Sequence, residues 1–330
     1  MKVLKHIGMY IKEVVFSIIR NFFFNRRING KVLIVNVGGL GDFIHSIPAI
    51  YFLKVLFEVD ILSKKEYCTI LPSENFVSEE EAKKQKYCAV FDFNSPKIVT
   101  PEFSKNEYNF FAEKVLHKYV YRDWKEIHWV EFYIKTLITL FPNSKEFKLK
   151  QKKSSPSLII IHPGSSNPEK NWDLENFIWV GKKLSKRHPV KFLIGPQDAE
   201  LESKILSNGF EVIKSKDFLE LSRIAKITKL YIGNDSGPMH FFSLYNCKII
   251  GIFSIGCADT HYPYSPFAIY YYERDVFNDF YEKGIIRKIG LSKETLLKQV
   301  EFVLKDKNRL LKNFYASKPS YIEGARDEQK

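Results

Sequence analysis

Three short stretches of this 330-residue chain hold residue types able to do chemistry. Gly38-Gly39-Leu40-Gly41-Asp42 sets a carboxylate directly after a glycine turn. His162-Pro163-Gly164-Ser165-Ser166, with Lys170 close behind, offers hydroxyls and a cation. Gly233-Asn234-Asp235-Ser236-Gly237-Pro238-Met239-His240 brings a carboxylate, a hydroxyl and an imidazole within a few residues. Each stretch follows an apolar, strand-like run and leads toward a helix-like pattern. At such junctions free backbone N–H groups and the helix dipole favour an anion. A carboxylate placed there is suited to proton abstraction, and hydroxyls with a lysine suit phosphate oxygens. The chemistry indicated is a reaction on a phosphorylated substrate held by two lobes.

Each motif also has a plainer reading. Counted from Gly39, the dinucleotide-binding pattern GxGxxG finds Gly41 in place but Ile44 where the third glycine belongs, which makes a nicotinamide oxidoreductase a weak alternative. Gly38, Gly39 and Gly41 then mark a turn where backbone approaches a ligand closely. Asp42 is explained by a helix cap alone, but its place at the carboxyl end of a buried strand faces the crevice where open α/β sheets bind ligands. Lys170 by itself reads as a solvated lysine in a loop. Gly195-Pro196-Gln197-Asp198 ends another strand, and an acid there can hold a ribose hydroxyl. Ser236 reads as a cap, Gly237 as a point of close approach and Pro238 as the first helical residue, with His240 in the first turn.

The elements that position these groups alternate. Lys31 to Val37 is a continuous apolar run, the mark of a strand buried on both faces. Pro48 to Phe57 reads as a helix with Ser46 as its cap. Short strands are expected near Cys68 to Leu71 and Cys88 to Phe91, and mostly helix from His117 to Leu140. Strands at Leu158 to Ile161, Val190 to Ile194, Leu230 to Ile232 and Lys248 to Phe253 alternate with helices at Leu174 to Ser185, Phe218 to Ala225 and Met239 to Leu244. This spacing predicts a parallel, doubly wound sheet. Ser292 caps a last helix through Leu304. The division expected is a basic helix over 1–30, a first domain over 31–150, a proline-broken polar linker over 151–157, a second domain over 158–305 and a tail over 306–330.

Lys and Arg exceed Asp and Glu by 13, and the composition, 45% hydrophobic and 27% charged, is that of a soluble globular protein. The charge favours anionic partners; without an arginine-rich arm, zinc-finger spacing or aromatic RNA-binding signature, nucleic acid is excluded. The 28 Phe and 18 Tyr are spread along the chain as core residues. Cys68, Cys88, Cys247 and Cys257 show no metal spacing and read as buried free thiols of a reducing compartment, Cys247 within a strand. Near the N-terminus, apolar residues from Val3 to Phe23 recur every three or four positions, opposite Lys2, Lys5, Lys12 and Arg20, with Arg26-Arg27 beyond. Charges interrupt the run, so it is neither a bilayer span nor a signal peptide. Such a helix lies on an anionic membrane surface or packs on the protein's own core.

Together these residues resemble glycosyltransferase family 9, the ADP-heptose:lipopolysaccharide heptosyltransferases. The resemblance begins at Val32-Leu33-Ile34-Val35 with Gly41-Asp42-Phe43-Ile44-His45-Ser46-Ile47-Pro48-Ala49. It resumes at His162 to Ser166 with Lys170 and Trp172, and again at Asp235-Ser236-Gly237 with His240, in order across about residues 31 to 255. It implies an α/β fold of GT-B type, two Rossmann-like domains with parallel sheets facing a cleft, and an inverting transfer that uses no metal or other cofactor. It implies Asp42 as the general base and Ser165, Ser166 and Lys170 on the donor diphosphate. Asp235, Ser236, Gly237 and His240 match contacts to the donor's sugar and phosphates, and Asp198 stands where a nucleoside-binding acid is expected. The partners implied by the resemblance are a nucleotide-sugar, in this family ADP-heptose, and an anionic glycolipid of the lipopolysaccharide or lipooligosaccharide core, met in the cytoplasm at the inner face of the membrane. Residues 59 to 150 match the family poorly, and Pro238 replaces a different apolar residue. An epimerase of the same architecture, a transferase with another donor for a different envelope glycan, and a non-catalytic nucleotide-sugar-binding protein are the rival readings.

Overall fold

Apolar runs such as Val32 to Val35 and Leu158 to Ile161 are fully buried and form the centres of two parallel sheets, as the burial of both strand faces requires. The computed structural model describes residues 15, 17–19, 21–94, 103–116, 127–142, 156–195, 198–215, 217–245, 247–305 and 312–313. These divide into two compact units, one drawn from Met1–Lys152, Lys216–Ile224 and Asp259–Tyr264, the other from Lys153–Ser215, Ala225–Ala258 and Ser265–Lys330.

The first sheet contains β1 (Lys31–Asn36), β2 (Glu58–Ser63), β3 (Asn75–Val77), β4 (Ala89–Asp92) and β5 (Glu107–Asn109) in the order β3-β2-β1-β4-β5. Its helices are α1 (Leu40–Leu56), α2 (Glu79–Lys83), α3 (Phe110–Leu116) and α4 (Trp129–Leu140). The second sheet contains β6 (Leu158–His162), β7 (Val190–Ile194), β8 (Val212–Lys214), β9 (Thr228–Asn234), β10 (Lys248–Phe253), β11 (Ala268–Tyr272) and β12 (Lys312–Asn313) in the order β12-β11-β10-β9-β6-β7-β8. Along this part of the chain run α5 (Leu174–Leu184), α6 (Ala199–Ser207), α7 (Phe218–Ile227), α8 (Gly237–Ser243), α9 (Ala258–His261), α10 (Arg274–Lys283) and α11 (Lys293–Lys305). In each sheet the winding reverses beside the first strand, between β1 and β4 and between β6 and β9. Ligands of such sheets bind outside the carboxyl ends of the strands at that reversal.

Aromatic side chains fill much of both cores: the bulkiest fully buried residues are all Tyr and Phe, among them Tyr231, Tyr270, Phe91 and Phe110. In the first unit Phe93 stacks on Phe110 at 4.4 Å, and Tyr133 meets Phe93 edge-on at 4.9 Å. In the second, Ile159, Ile161, Ile232 and Ile252 pack with Trp172, Phe177 and Phe192.

Several local expectations change. The segment around Cys68 is a 3₁₀ helix, Lys65–Thr69, rather than a strand; Tyr67, Ile70 and Leu71 are all buried, a spacing that suits a helical turn and not alternation. The first helix begins at Leu40, so Ser46 and Pro48 lie inside it and Ser46 donates to the Phe43 carbonyl instead of capping. The helix can start early because the Asp42 carboxylate accepts the Gly39 N–H at its N-terminus. Cys247 sits one residue before β10 and is the buried thiol; Cys88 is exposed, and Cys68 and Cys257 are half-buried, all four being free. Ser292 caps α11 by accepting the Thr295 N–H at 3.1 Å. Of the helix expected over 1–30, residues 15, 17–19 and 21–22 are helical, and residues 1–14, 16 and 20 lie outside the described residues; so do 117–126, most of the linker and nearly all of the tail.

Gly30, which enters β1, has φ +129°, and a Cβ there would come within 2.8 Å of Cys88 Sγ. Gly30→Ala is expected to cost about 1–3 kcal/mol, read as a lower denaturant midpoint at unchanged slope; an unshifted midpoint refutes this strain.

Candidate functional site

In the first unit two buried asparagines shape the glycine turn after β1. Asn36 Oδ1 accepts the Gly38 N–H at 3.2 Å while its amide donates to Ser46 Oγ at 2.9 Å. Asn94, at the end of β4, accepts the Val37 N–H at 2.8 Å. Side chains from both strands at the reversal thus hold the turn. Asp42 lies in the first turn of α1, exposed, with Oδ2 3.1 Å from the Gly39 nitrogen. Its capping role is therefore real, and it leaves the carboxylate open to solvent. A Cβ at Gly38 would press on Asp42 and Asn36 at 3.2 and 3.3 Å. Tyr67 donates to the Gly38 carbonyl at 3.3 Å; burial, helped by Glu66 and Asp42, pushes its hydroxyl up to about 12, so it remains a donor. One turn beyond Asp42, the buried His45 ring lies 4.9 Å from that of His128 and 5.9 Å from that of His261. His128 accepts the Val130 N–H at Nδ1 and meets the Tyr262 carbonyl at Nε2, 2.9 Å away, which defines its neutral tautomer.

In the second unit the motifs leave the two strands that flank the reversal. Register pairs His162 of β6 with Gly233 of β9. Asn234, ending β9, donates to the Pro163 carbonyl at 2.6 Å and accepts the Trp172 N–H at 3.0 Å, tying the loop after β6 to β9. Within that loop the Ser165 hydroxyl is engaged, 2.6 Å from the Asn167 carbonyl and 2.7 Å from Asn171 Oδ1, whereas Ser166 is exposed. Lys170 closes a 3₁₀ turn and donates to Asp235 Oδ2 at 2.7 Å. His240 Nε2 lies 3.7 Å from the other carboxylate oxygen. Burial alone would raise the Asp235 pKa, but the hydrogen bond to His240 and the Lys170 charge outweigh it and hold the carboxyl well below the usual range. A Cβ at Gly256 would overlap this carboxylate.

Asp198 stands directly before α6. It is buried, accepts the Gly195 N–H at 2.9 Å and lies 3.5 Å from His162 Nε2; despite burial, these contacts lower its pKa. Ser236 does not cap α8 as its position predicts: its hydroxyl makes no cap hydrogen bond and instead sits 3.2 Å from His162 Nδ1. Gly237 opens α8 and Pro238 follows within its first turn. The second unit thus gathers Lys170, Asp235 and His240 in one cluster and Asp198, His162 and Ser236 in another, while Gly38, Gly39, Gly41 and Asp42 belong to the first unit. Sequence reasoning overlooked Asn36, Asn94 and Tyr231 and gave Asn234 and His162 no role of their own. A polar residue closing an apolar strand was the available signal for Asn36, Asn234 and His162; the His45–His128–His261 cluster has none, its members being distant in sequence.

Residues 122–271 match the family model described as glycosyltransferase family 9 (heptosyltransferase). Over these residues the chain is similar to that family. The matched span contains Lys170, Asp235, His240, Asp198, His162 and Ser236 and does not include Asp42. A lipooligosaccharide heptosyltransferase 2 of Campylobacter jejuni is 25% identical over 251 residues, covering 65% of this chain and 78% of the relative. Among solved structures, a family 9 glycosyltransferase from Veillonella parvula matches with a TM-score of 0.64 at 18% identity, over 83% of this chain and 97% of the other. The E. coli heptosyltransferase WaaC, solved with ADP, matches with a TM-score of 0.61 at 14% identity, over 83% and 99%. The protein is a glycosyltransferase with the two parallel-sheet α/β units of the GT-B fold. Among the described residues no helix is long and apolar enough to cross a membrane.

Because the Asp235 pKa is lowered on folding, the stability it contributes is complete above its unfolded value near 4 and is lost as pH falls through the folded value. Denaturant midpoints measured from pH 7 down to 3 should decline in the wild type and decline less steeply in Asp235→Asn. Parallel declines would show that Asp235 is not the linked group.

Proposed function

We propose that this glycosyltransferase moves a heptose from ADP-heptose to an acceptor hydroxyl of a lipopolysaccharide or lipooligosaccharide core, with inversion at the anomeric carbon. The observation that carries the reading is the arrangement in the second unit, where Lys170, Asp235 and His240 form a charged cluster beside the loop that bears Ser165 and Ser166. Lys170 uses one ammonium N–H on Asp235, and the ammonium has two more for phosphate oxygens. As the bond from the anomeric carbon to the donor's diphosphate breaks, negative charge grows on the leaving ADP, and fixed donors there stabilise it. Asp42, exposed after the glycine turn, takes the proton of the attacking hydroxyl as its oxygen bonds to that carbon. The C. jejuni relative's name and the ADP bound to the E. coli enzyme support the choice of acceptor class and nucleotide.

We place this activity at the inner surface of the cytoplasmic membrane. Phe22 and Phe23 are 84% and 76% exposed, Arg26 and Arg27 are also exposed, and the chain carries a formal charge of +13. Exposed aromatic rings beside cations suit an anionic lipid surface.

Asp42→Asn should lower turnover of ADP-heptose with a truncated core acceptor by about 10²–10⁴-fold and leave ADP affinity near wild type; normal turnover removes Asp42 from the chemistry. Replacing both Phe22 and Phe23 by Ser should release the protein from phosphatidylglycerol-containing vesicles in co-sedimentation, and undiminished binding would place the membrane contact elsewhere.

A further inference from the structure

One buried polar chain in the second unit has no part in the transfer as described. His162 Nε2 is 3.5 Å from Asp198 Oδ2, and His162 Nδ1 is 2.9 Å from the Tyr231 hydroxyl and 3.2 Å from Ser236 Oγ. All four residues are less than a tenth exposed. A carboxylate can only accept, so the His162 tautomer that pairs with Asp198 carries its proton on Nε2 and presents Nδ1 as an acceptor. Asp198 is braced in turn by the Gly195 N–H.

The surrounding backbone is shaped to this chain. A Cβ at Gly164 would overlap the Asp198 carboxylate, and one at Gly233 would come within 2.7 Å of the His162 carbonyl oxygen and 2.9 Å of the Tyr231 hydroxyl. The glycines of two motifs are therefore accounted for by His162 and its partners. Ser236 supplies an independent sign. It occupies the N-cap of α8 without capping it, although a serine there ordinarily accepts a first-turn N–H.

We propose that His162, braced by Asp198, is a positioning residue that draws the Ser236 hydroxyl off the helix cap and sets its direction toward the nucleotide-sugar. This rests on the donor reading above. Two hydroxyls share the single lone pair of Nδ1, with Tyr231 and Ser236 oxygens 3.5 Å apart. When a donor oxygen arrives, the Ser236 proton turns to it and the Tyr231 proton takes Nδ1. The exchange leaves no buried acceptor unsatisfied, which would otherwise oppose binding.

The test compares H162A, H162N, S236A and the H162A/S236A double variant of the full chain by ADP titration and by steady-state kinetics with ADP-heptose. S236A and H162A should each raise the KM for ADP-heptose about three- to tenfold, the worth of one hydrogen bond. The double variant should be no worse than S236A alone, because His162 acts through Ser236. H162N should recover most of the loss, its side-chain oxygen standing in for Nδ1 as acceptor. Should H162A fail to fold, D198N takes its place in the same cycle. Additive losses, or an H162A enzyme with an unchanged KM while that of S236A rises, overturn the proposal. A wild-type protein that binds neither ADP nor ADP-heptose overturns the donor reading itself, and the positioning role with it.

Discussion

A parallel sheet that winds both ways from its first strand must part its connections at one place, and the polar arrangements of both candidate sites answer to that constraint. At the parting the carboxyl ends of neighbouring strands are uncovered, while their apolar bodies stay sealed by helices. The chain closes each such strand with a residue that can hydrogen-bond sideways: Asn36 ending β1, Asn94 just past β4, His162 ending β6 and Asn234 ending β9. These four side chains convert strand ends into loop anchors. The catalytic candidates are arranged by these anchors more than by their own immediate neighbours in sequence.

The second unit adds an electrostatic layer. A buried carboxylate is costly unless it is paired, and Asp235 is satisfied by Lys170 from one connection and His240 from another. The same pairing that makes Asp235 tolerable keeps a cation, only partly exposed, near the strand ends. Asp198 solves the same problem differently, with a backbone N–H and an imidazole. The two acids look alike as strand-end residues in the sequence, yet one holds a cation and the other orders a chain of hydroxyls.

Strand–helix alternation, the parallel sheets and the two-unit fold were legible because continuous apolar runs admit few other structures. Lys170 and Asp235 were legible as chemistry-bearing residues but not as partners, since their pairing depends on the register of β6 against β9. The capping of α1 shows where local reading falls short: Ser46 and Pro48 look like a helix start, and only the contact of Asp42 with Gly39 shows that the helix is already under way. Ser236 looks like a cap and is not, because a histidine far away in sequence attracts its hydroxyl. Such outcomes turn on competition between near and distant partners, which one-dimensional patterns do not rank.

The first unit is not a contiguous piece of chain. Phe218 packs on Tyr67 at 5.6 Å, Tyr264 stacks on His128 at 4.9 Å, and the Tyr262 carbonyl faces His128 Nε2; all of these belong to one compact unit although Lys216–Ile224 and Asp259–Tyr264 come late in the sequence. A chimera that joins the front of this enzyme to the back of a relative at a single crossover would import foreign residues into the front core. Exchange of modules within such proteins therefore calls for five crossovers rather than one, with Phe218, Tyr262 and Tyr264 travelling with the residues they touch.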